Sequence, residues 1–211
     1  MTSPQQPAEP SYADRVFRSP AGMAGGGLLL ALIAWMVVDA LVRGEGRTPW
    51  LALAAALVVV PLIVAFSVRP AVFVNEERVR IRNPFRTITL PWSAVADVRA
   101  GYSSELFTTE GVKYQLWAIP VSLRQRKRVA RRQMRNATDD PHGATSVTAD
   151  VTDSQARMAP ADQTIADLRD MAEHLGPRSS APGGPQVRWA YEVLAPVTAG
   201  VVVLALVLGL T

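Results

Sequence analysis

Cysteine is absent from the 211-residue chain, so neither a disulfide framework nor a thiolate metal site is available to it. Lysine is almost absent: among the 22 Lys and Arg residues only Lys113 and Lys127 are lysine. This Arg- and Ala-rich bias suggests a high-GC bacterial genome and carries no function by itself. Histidine occurs twice. His142 lies in Asp139-Asp140-Pro141-His142-Gly143 with no second histidine nearby, which reads as a solvated turn rather than a metal cluster. His174 falls in the last turn of an expected helix, where the helix dipole suits an imidazolium. No P-loop, dinucleotide fingerprint or HExxH is present. Glu76 and Glu77 are adjacent and diverge, so they do not form an acid/base pair. The sequence therefore offers no catalytic residue, no cofactor-binding residue and no metal ligand, and we expect no enzyme and no cofactor.

What the chain has is apolar sequence in three blocks, at 22–42, 50–68 and 193–210. Each approaches the roughly 20 residues that cross a hydrocarbon core as a helix. The mean hydropathy of +0.13 averages them away. The N-terminal region does not read as a signal peptide, because its apolar run is long and a second span follows at once. Residues 1–21 are expected to be a disordered cytoplasmic tail. Arg15 and Arg18 precede the first span, whereas Arg43 and Arg47 in the next loop are partly offset by Glu45. Arg69, Arg78, Arg80, Arg82 and Arg86 follow the second span, and no Lys or Arg follows the third. The positive-inside rule places the intervening domain in the cytoplasm and the C-terminus outside. Asp39 lies near a helix end with Arg43 at i+4, which predicts an ion pair rather than a proton relay. Gly22-x-x-x-Gly26 matches the small-residue pattern for close helix approach, at the membrane edge. Pro61 and Pro196 are candidate kinks, and three spans without repeats or paired charges do not read as a transporter.

From residue 71 the pattern turns to alternation: Val79, Ile81, Ile88 and Leu90 interleave with arginines and threonines, as in half-buried strands. Asn75-Glu76-Glu77, Asn83-Pro84-Phe85 and Thr109-Glu110-Gly111 read as turns. Further strands are expected at 95–102, 106–109 and 112–119, giving an antiparallel meander, and Trp92 and Trp117 are read as core. An insertion at 120–160 follows. It opens with Arg124, Arg126, Lys127, Arg128, Arg131, Arg132 and Arg135, with no acid among them. Ile165, Leu168, Met171, Ala172 and Leu175 share one helical face, with Asp162 as N-cap and Gly176-Pro177 as the stop. Residues 176–192 read as a Pro/Gly/Ser linker.

Four segments carry a family resemblance: Arg69-Pro70, Asn83-Pro84-Phe85-Arg86, Leu90-Pro91-Trp92-Ser93-x-Val95-x-x-Val98 and Tyr114-Gln115-Leu116-Trp117-Ala118-Ile119. With two preceding spans and one amphipathic helix, the chain resembles the bacterial membrane proteins with a PH-like domain grouped with a low-molecular-weight protein antigen. The resemblance implies a membrane-anchored α+β fold. In it, two transmembrane helices (22–68) precede a PH-like antiparallel β sandwich or barrel with one C-terminal amphipathic helix (69–175); the apolar block at the end of the chain adds a third transmembrane helix (193–211). The insertion at 120–160 and the third span depart from the family's core pattern.

The seven basic residues from Arg124 to Arg135 are the candidate anionic-surface site, since each Lys or Arg near an anionic leaflet contributes about 1 kcal/mol. The run lacks interleaved aromatics, so no nucleic acid is expected. The reading is a non-catalytic, multi-pass protein of the bacterial plasma membrane that binds anionic lipid headgroups or a protein partner at the cytoplasmic face. The alternative is a scaffold subunit paired with another membrane protein.

Overall fold

The structure, a computed structural model, describes residues 15–121, 160–179 and 184–209. Among these residues, three helices are long and apolar enough to cross a membrane: Pro20–Arg43, Thr48–Val68 and Tyr191–Gly209. The first is α1 (Pro20–Arg43); Pro20 sits where a helix needs no N–H, and the Ser19 hydroxyl accepts from the Gly22 amide at 3.1 Å. Asp39 and Arg43 pair at 3.1 Å in its last turn, as the spacing predicts. The second is α2 (Thr48–Ile63), continued by a π-helical turn at Val64–Val68. Pro61 lies just upstream of the wide turn, and its missing N–H weakens the helical ladder there. Gly26 faces Ser67 so closely that a Cβ would collide with the serine Cβ, so the small-residue pattern serves packing within the chain.

Among the described residues, eight strands form two antiparallel sheets. Strands β2 (Ala71–Val74), β3 (Arg78–Arg82) and β4 (Arg86–Pro91) form the centre of the first. Strands β5 (Val95–Ala100), β6 (Ser104–Thr108) and β7 (Lys113–Gln115) form the second. The β6–β7 turn closes at Gly111, whose φ of +80° suits glycine. Val79 opposes Leu90 and Ile81 opposes Ile88, so the alternation buries one face and leaves Arg78, Arg80 and Arg82 on the other. The buried face packs against Val98, Leu106 and Leu116 of the second half. Each fully buried aliphatic side chain contributes about 1.5–3 kcal/mol.

Two expectations need correcting. Residues 15–17, within the segment read as a disordered tail, form β1 (Arg15–Phe17), antiparallel to β2. Residues 186–189, within the segment read as a linker, form β8 (Gln186–Trp189), antiparallel to β4. The first sheet therefore runs β1-β2-β3-β4-β8. Every residue of β8 is exposed, so backbone pairing holds it, and the four-residue alternation Gln-Val-Arg-Trp is too short to stand out from the Pro/Gly/Ser stretch before it. Trp117 differs too: it is 43% exposed. It packs edge-on against Phe66 of the π turn at 5.4 Å, while Phe66 meets Phe85 at 5.3 Å. These three rings join helix to sheet.

Helix α3 (Pro160–Leu175) starts two residues before the expected N-cap, leaving Asp162 in its first turn. Proline at the start fixes φ, and the carboxylate favours the positive helix end. Ile165 and Leu168 are buried in the core. Arg169 fastens the helix to β5, donating to Asp97 at 3.2 Å and to the Val98 carbonyl at 2.7 Å. Burial alone would push the Asp97 carboxyl up, but hydrogen bonds from Arg99 and the Val98 amide and the Arg169 charge outweigh it and hold it low. A carboxyl depressed in the fold contributes stability above its unfolded value of about 3.9 and loses it as pH falls through the lower folded value. Stability is thus expected to fall as pH drops below about 4, and Asp97→Asn should flatten that fall in acid melts monitored by circular dichroism.

The third apolar helix is α4 (Tyr191–Gly209). At the far end of the bundle, Arg47 in the α1–α2 loop donates to the Val207 carbonyl at 2.9 Å. That loop and the end of α4 therefore lie together, opposite the sheet.

Candidate functional site at the junction of sheet and helices

All three apolar helices enter the same five-stranded sheet directly. Arg18 and Ser19 join β1 to α1, Arg69 and Pro70 join the π turn to β2, and Ala190 joins β8 to α4. The strand register then gathers charge at this end. Phe17 opposes Val72 and Ala71 opposes Arg82, so Arg18 lies at the sheet edge beyond Ala71. Arg82 opposes Thr87, and Thr87 opposes Arg188. Directly opposed residues share a face, so arginines recur across the last row of the sheet before the helices begin.

Arg69 is the anchored member of this group. Its side chain is 9% exposed and pairs with Glu192 in the first turn of α4 at 2.7 Å. It also donates to the Asn83 carbonyl at 2.6 Å and reaches the Thr87 hydroxyl at 3.5 Å. Asn83 in turn donates its amide to the Gln115 carbonyl at 2.8 Å, which links the helix entry to the second sheet. Arg82 lies over the Phe73 ring at 5.2 Å, with Arg80 over the same ring at 4.5 Å. Burial first, then the neighbouring Arg69, Arg80 and Arg18 charges, hold the Arg82 pKa below its ordinary value. Among the described residues, neither Arg18 nor Arg82 has a carboxylate partner of its own.

A cavity of about 560 Å³ opens at this junction. Arg18, Arg69, Arg82 and Glu192 line its polar side; Val60, Val64 and Val193 are among the aliphatic residues of its other wall. Guanidinium groups offer a planar fork of donors that matches phosphate or carboxylate. The lining suits an anion attached to an apolar body. A second cavity, of about 340 Å³, lies beside it, with Arg18 lining both. Pro120 and Pro160, at the two roots of the insertion, line that second cavity together with Ser19, Pro20 and Ala21. The insertion therefore leaves the fold beside the start of α1.

The seven basic residues expected as the anionic-surface site, Arg124, Arg126, Lys127, Arg128, Arg131, Arg132 and Arg135, lie outside the described residues. His142 does too. His174 is in the last turn of α3, where its Nδ1 lies 2.7 Å from the Asp170 carbonyl. The cluster of Arg18, Arg69, Arg82 and Glu192 was not visible as a site in the sequence. Its members were legible only as charges flanking spans, and strand register is what brings them together.

A family model described as a bacterial PH domain matches residues 69–178 of the 211, just over half of the chain. No curated protein and no solved structure matches the chain. The matched segment begins at Arg69 and stops before β8, so both edge strands of the first sheet and all three apolar helices lie outside it.

Proposed function

The chain belongs to the bacterial PH domain family, and from that premise we propose a non-catalytic, membrane-tethered module that binds anionic lipid headgroups at the cytoplasmic face of a bacterial plasma membrane. PH domains as a class bind lipids or proteins, and the fold alone does not choose between them. The observation that favours lipid is the position of the basic groups. Arg18, Arg69 and Arg82 stand where the apolar helices begin, and the insertion bearing Arg124–Arg135 has its roots beside α1. An anionic leaflet attracts Lys and Arg held within a Debye length of its surface. In this reading the basic run presses on the leaflet and fixes the domain's orientation, while the sheet is held to the helices at both edges.

Charge supports the cytoplasmic assignment. Arg15, Arg18, Arg69, Arg178 and Arg188 all precede or follow spans at the sheet end, whereas the far end carries Arg43 and Arg47 offset by Glu45. The positive-inside bias assigns the richer end to the cytoplasm.

A fluorophore on Arg128→Cys, in an otherwise cysteine-free chain, reports on the proposal in nanodiscs with headgroup-quencher lipid. Quenching is expected to be stronger in phosphatidylglycerol than in phosphatidylcholine and to fade as salt approaches about 1 M. Equal quenching in both lipids, at low salt, removes the electrostatic reading.

A further inference from the structure

The junction cavity combines features that a flat basic patch lacks. Its polar side holds three arginines against one glutamate, and that glutamate is engaged by Arg69. Arg18 and Arg82 line the same space and form no ion pair among the described residues, although the Glu192 charge also reaches Arg82. Continuing the β1–β2 register by one residue past Phe17↔Val72 sets Arg18 beside Ala71, which Arg82 opposes from the other side, so the two backbones stand about 10 Å apart, twice the strand spacing. Two long side chains across that gap span a phosphate. Arg82 lies over the Phe73 ring at 5.2 Å, a cation–π contact that occupies none of its N–H donors in a hydrogen bond.

The opposite wall is aliphatic and belongs to the apolar helices. Val60 and Val68 both line it, and eight residues of helix put them about 12 Å apart along the axis. The cavity therefore runs from the arginine level down beside the helices. Its volume of about 560 Å³ falls within the roughly 300–1,000 Å³ of single-ligand pockets. A soluble anion would leave the aliphatic wall uncovered, and an apolar chain alone would leave two arginines unanswered.

We infer that this cavity is a site for one anionic phospholipid, its phosphate held between Arg18 and Arg82 and its first acyl carbons against Val60, Val64 and Val193. The inference rests on the membrane-spanning reading above and adds to it a stoichiometric site distinct from the diffuse attraction of the basic run. The like-charge crowding around Arg82 is what the bound phosphate relieves. A bound lipid also touches the β1–α1 link, β3, α2 and α4 together, so it acts as a wedge between sheet and helices.

Native mass spectrometry of the full-length protein in detergent, titrated with dioleoyl phosphatidylglycerol or dioleoyl phosphatidylcholine, tests the site. One phosphatidylglycerol per chain is expected, with phosphatidylcholine about tenfold weaker, the effect of about 1.4 kcal/mol. Arg18→Gln/Arg82→Gln should weaken phosphatidylglycerol about tenfold or more. Arg82→Lys, which keeps the charge and loses the fork, should fall between. Arg78→Gln/Lys113→Gln removes the same charge away from the cavity and should change nothing. Equal binding of the two lipids overturns the site, as does unchanged binding by the Arg18/Arg82 variant. Glycerol 3-phosphate competing as well as the lipid would replace the lipid with a soluble phosphate. If the site fails while the Arg128 quenching persists, the cavity inference falls and the membrane-docked reading stands.

Discussion

Trp92→Ala is expected to destabilise the domain by about 3–5 kcal/mol, a large share of the roughly 5–15 kcal/mol that holds a domain folded. Trp92 is fully buried, at 0% exposure. It occupies the 3-10 turn Trp92–Ala94, where the chain passes from the first sheet into the second. Its indole donates to the Asn75 carbonyl at 2.8 Å, and its backbone amide donates to the Glu77 carbonyl at 3.1 Å. Gly176, just past α3, abuts its carbonyl. Truncation opens a cavity beneath both sheets and the helix and removes the indole hydrogen bond to the Asn75 carbonyl. Trp92→Phe keeps most of the volume and loses the hydrogen bond, so it should cost only about 1–3 kcal/mol. Denaturation of the detergent-solubilised protein, followed by circular dichroism, separates the two. An alanine variant melting with the wild type contradicts the assignment of Trp92 as the corner of the core.

Gly200→Val should force α4 away from α2. A Cβ at Gly200 would stand 2.8 Å from the Val58 side chain and 2.9 Å from the backbone of Leu57 and Val58. Backbone cannot yield, and overpacking costs about 1–3 kcal/mol or more. Close approach through small residues is how helices associate where lipid competes for every apolar contact. The chain's lack of cysteine makes the readout clean. Cysteines at Arg47 and Val207, whose native contact joins the α1–α2 loop to the end of α4, should be bridged efficiently by a short bifunctional maleimide. The Gly200→Val background should lower that yield severalfold. Ala190 alone separates β8 from α4, so amide exchange in β8 should quicken as well. An unchanged yield and unchanged exchange would show that α4 does not depend on this contact.

Much of the fold was written in periodicity. The apolar blocks became α1, α2 with its π turn, and α4, and the alternation around Val79 and Ile88 became β3 and β4. The stripe through Ile165 and Leu168 became α3. What failed lies where side-chain pattern carries no signal. Strand β1 has three residues and β8 buries none, and edge strands such as these are defined by backbone bonds to a neighbour distant in sequence. Trp117 differs because β7 ends at Gln115, short of it, and Phe66 takes the ring instead of the core. The junction cluster was illegible for the same reason as β8. Arg18 and Arg82 come together only through register, and Glu192 finds Arg69 only because α4 starts where β8 ends.

The most direct measurement is crosslinking in intact membranes from a photoreactive residue at Arg128, followed by identification of what is captured. The account predicts anionic phospholipid, with capture reduced when Arg124, Arg126, Lys127, Arg131, Arg132 and Arg135 are replaced by glutamine. Capture of a single protein in near-stoichiometric yield, with no lipid, would contradict it and make the chain a scaffold subunit.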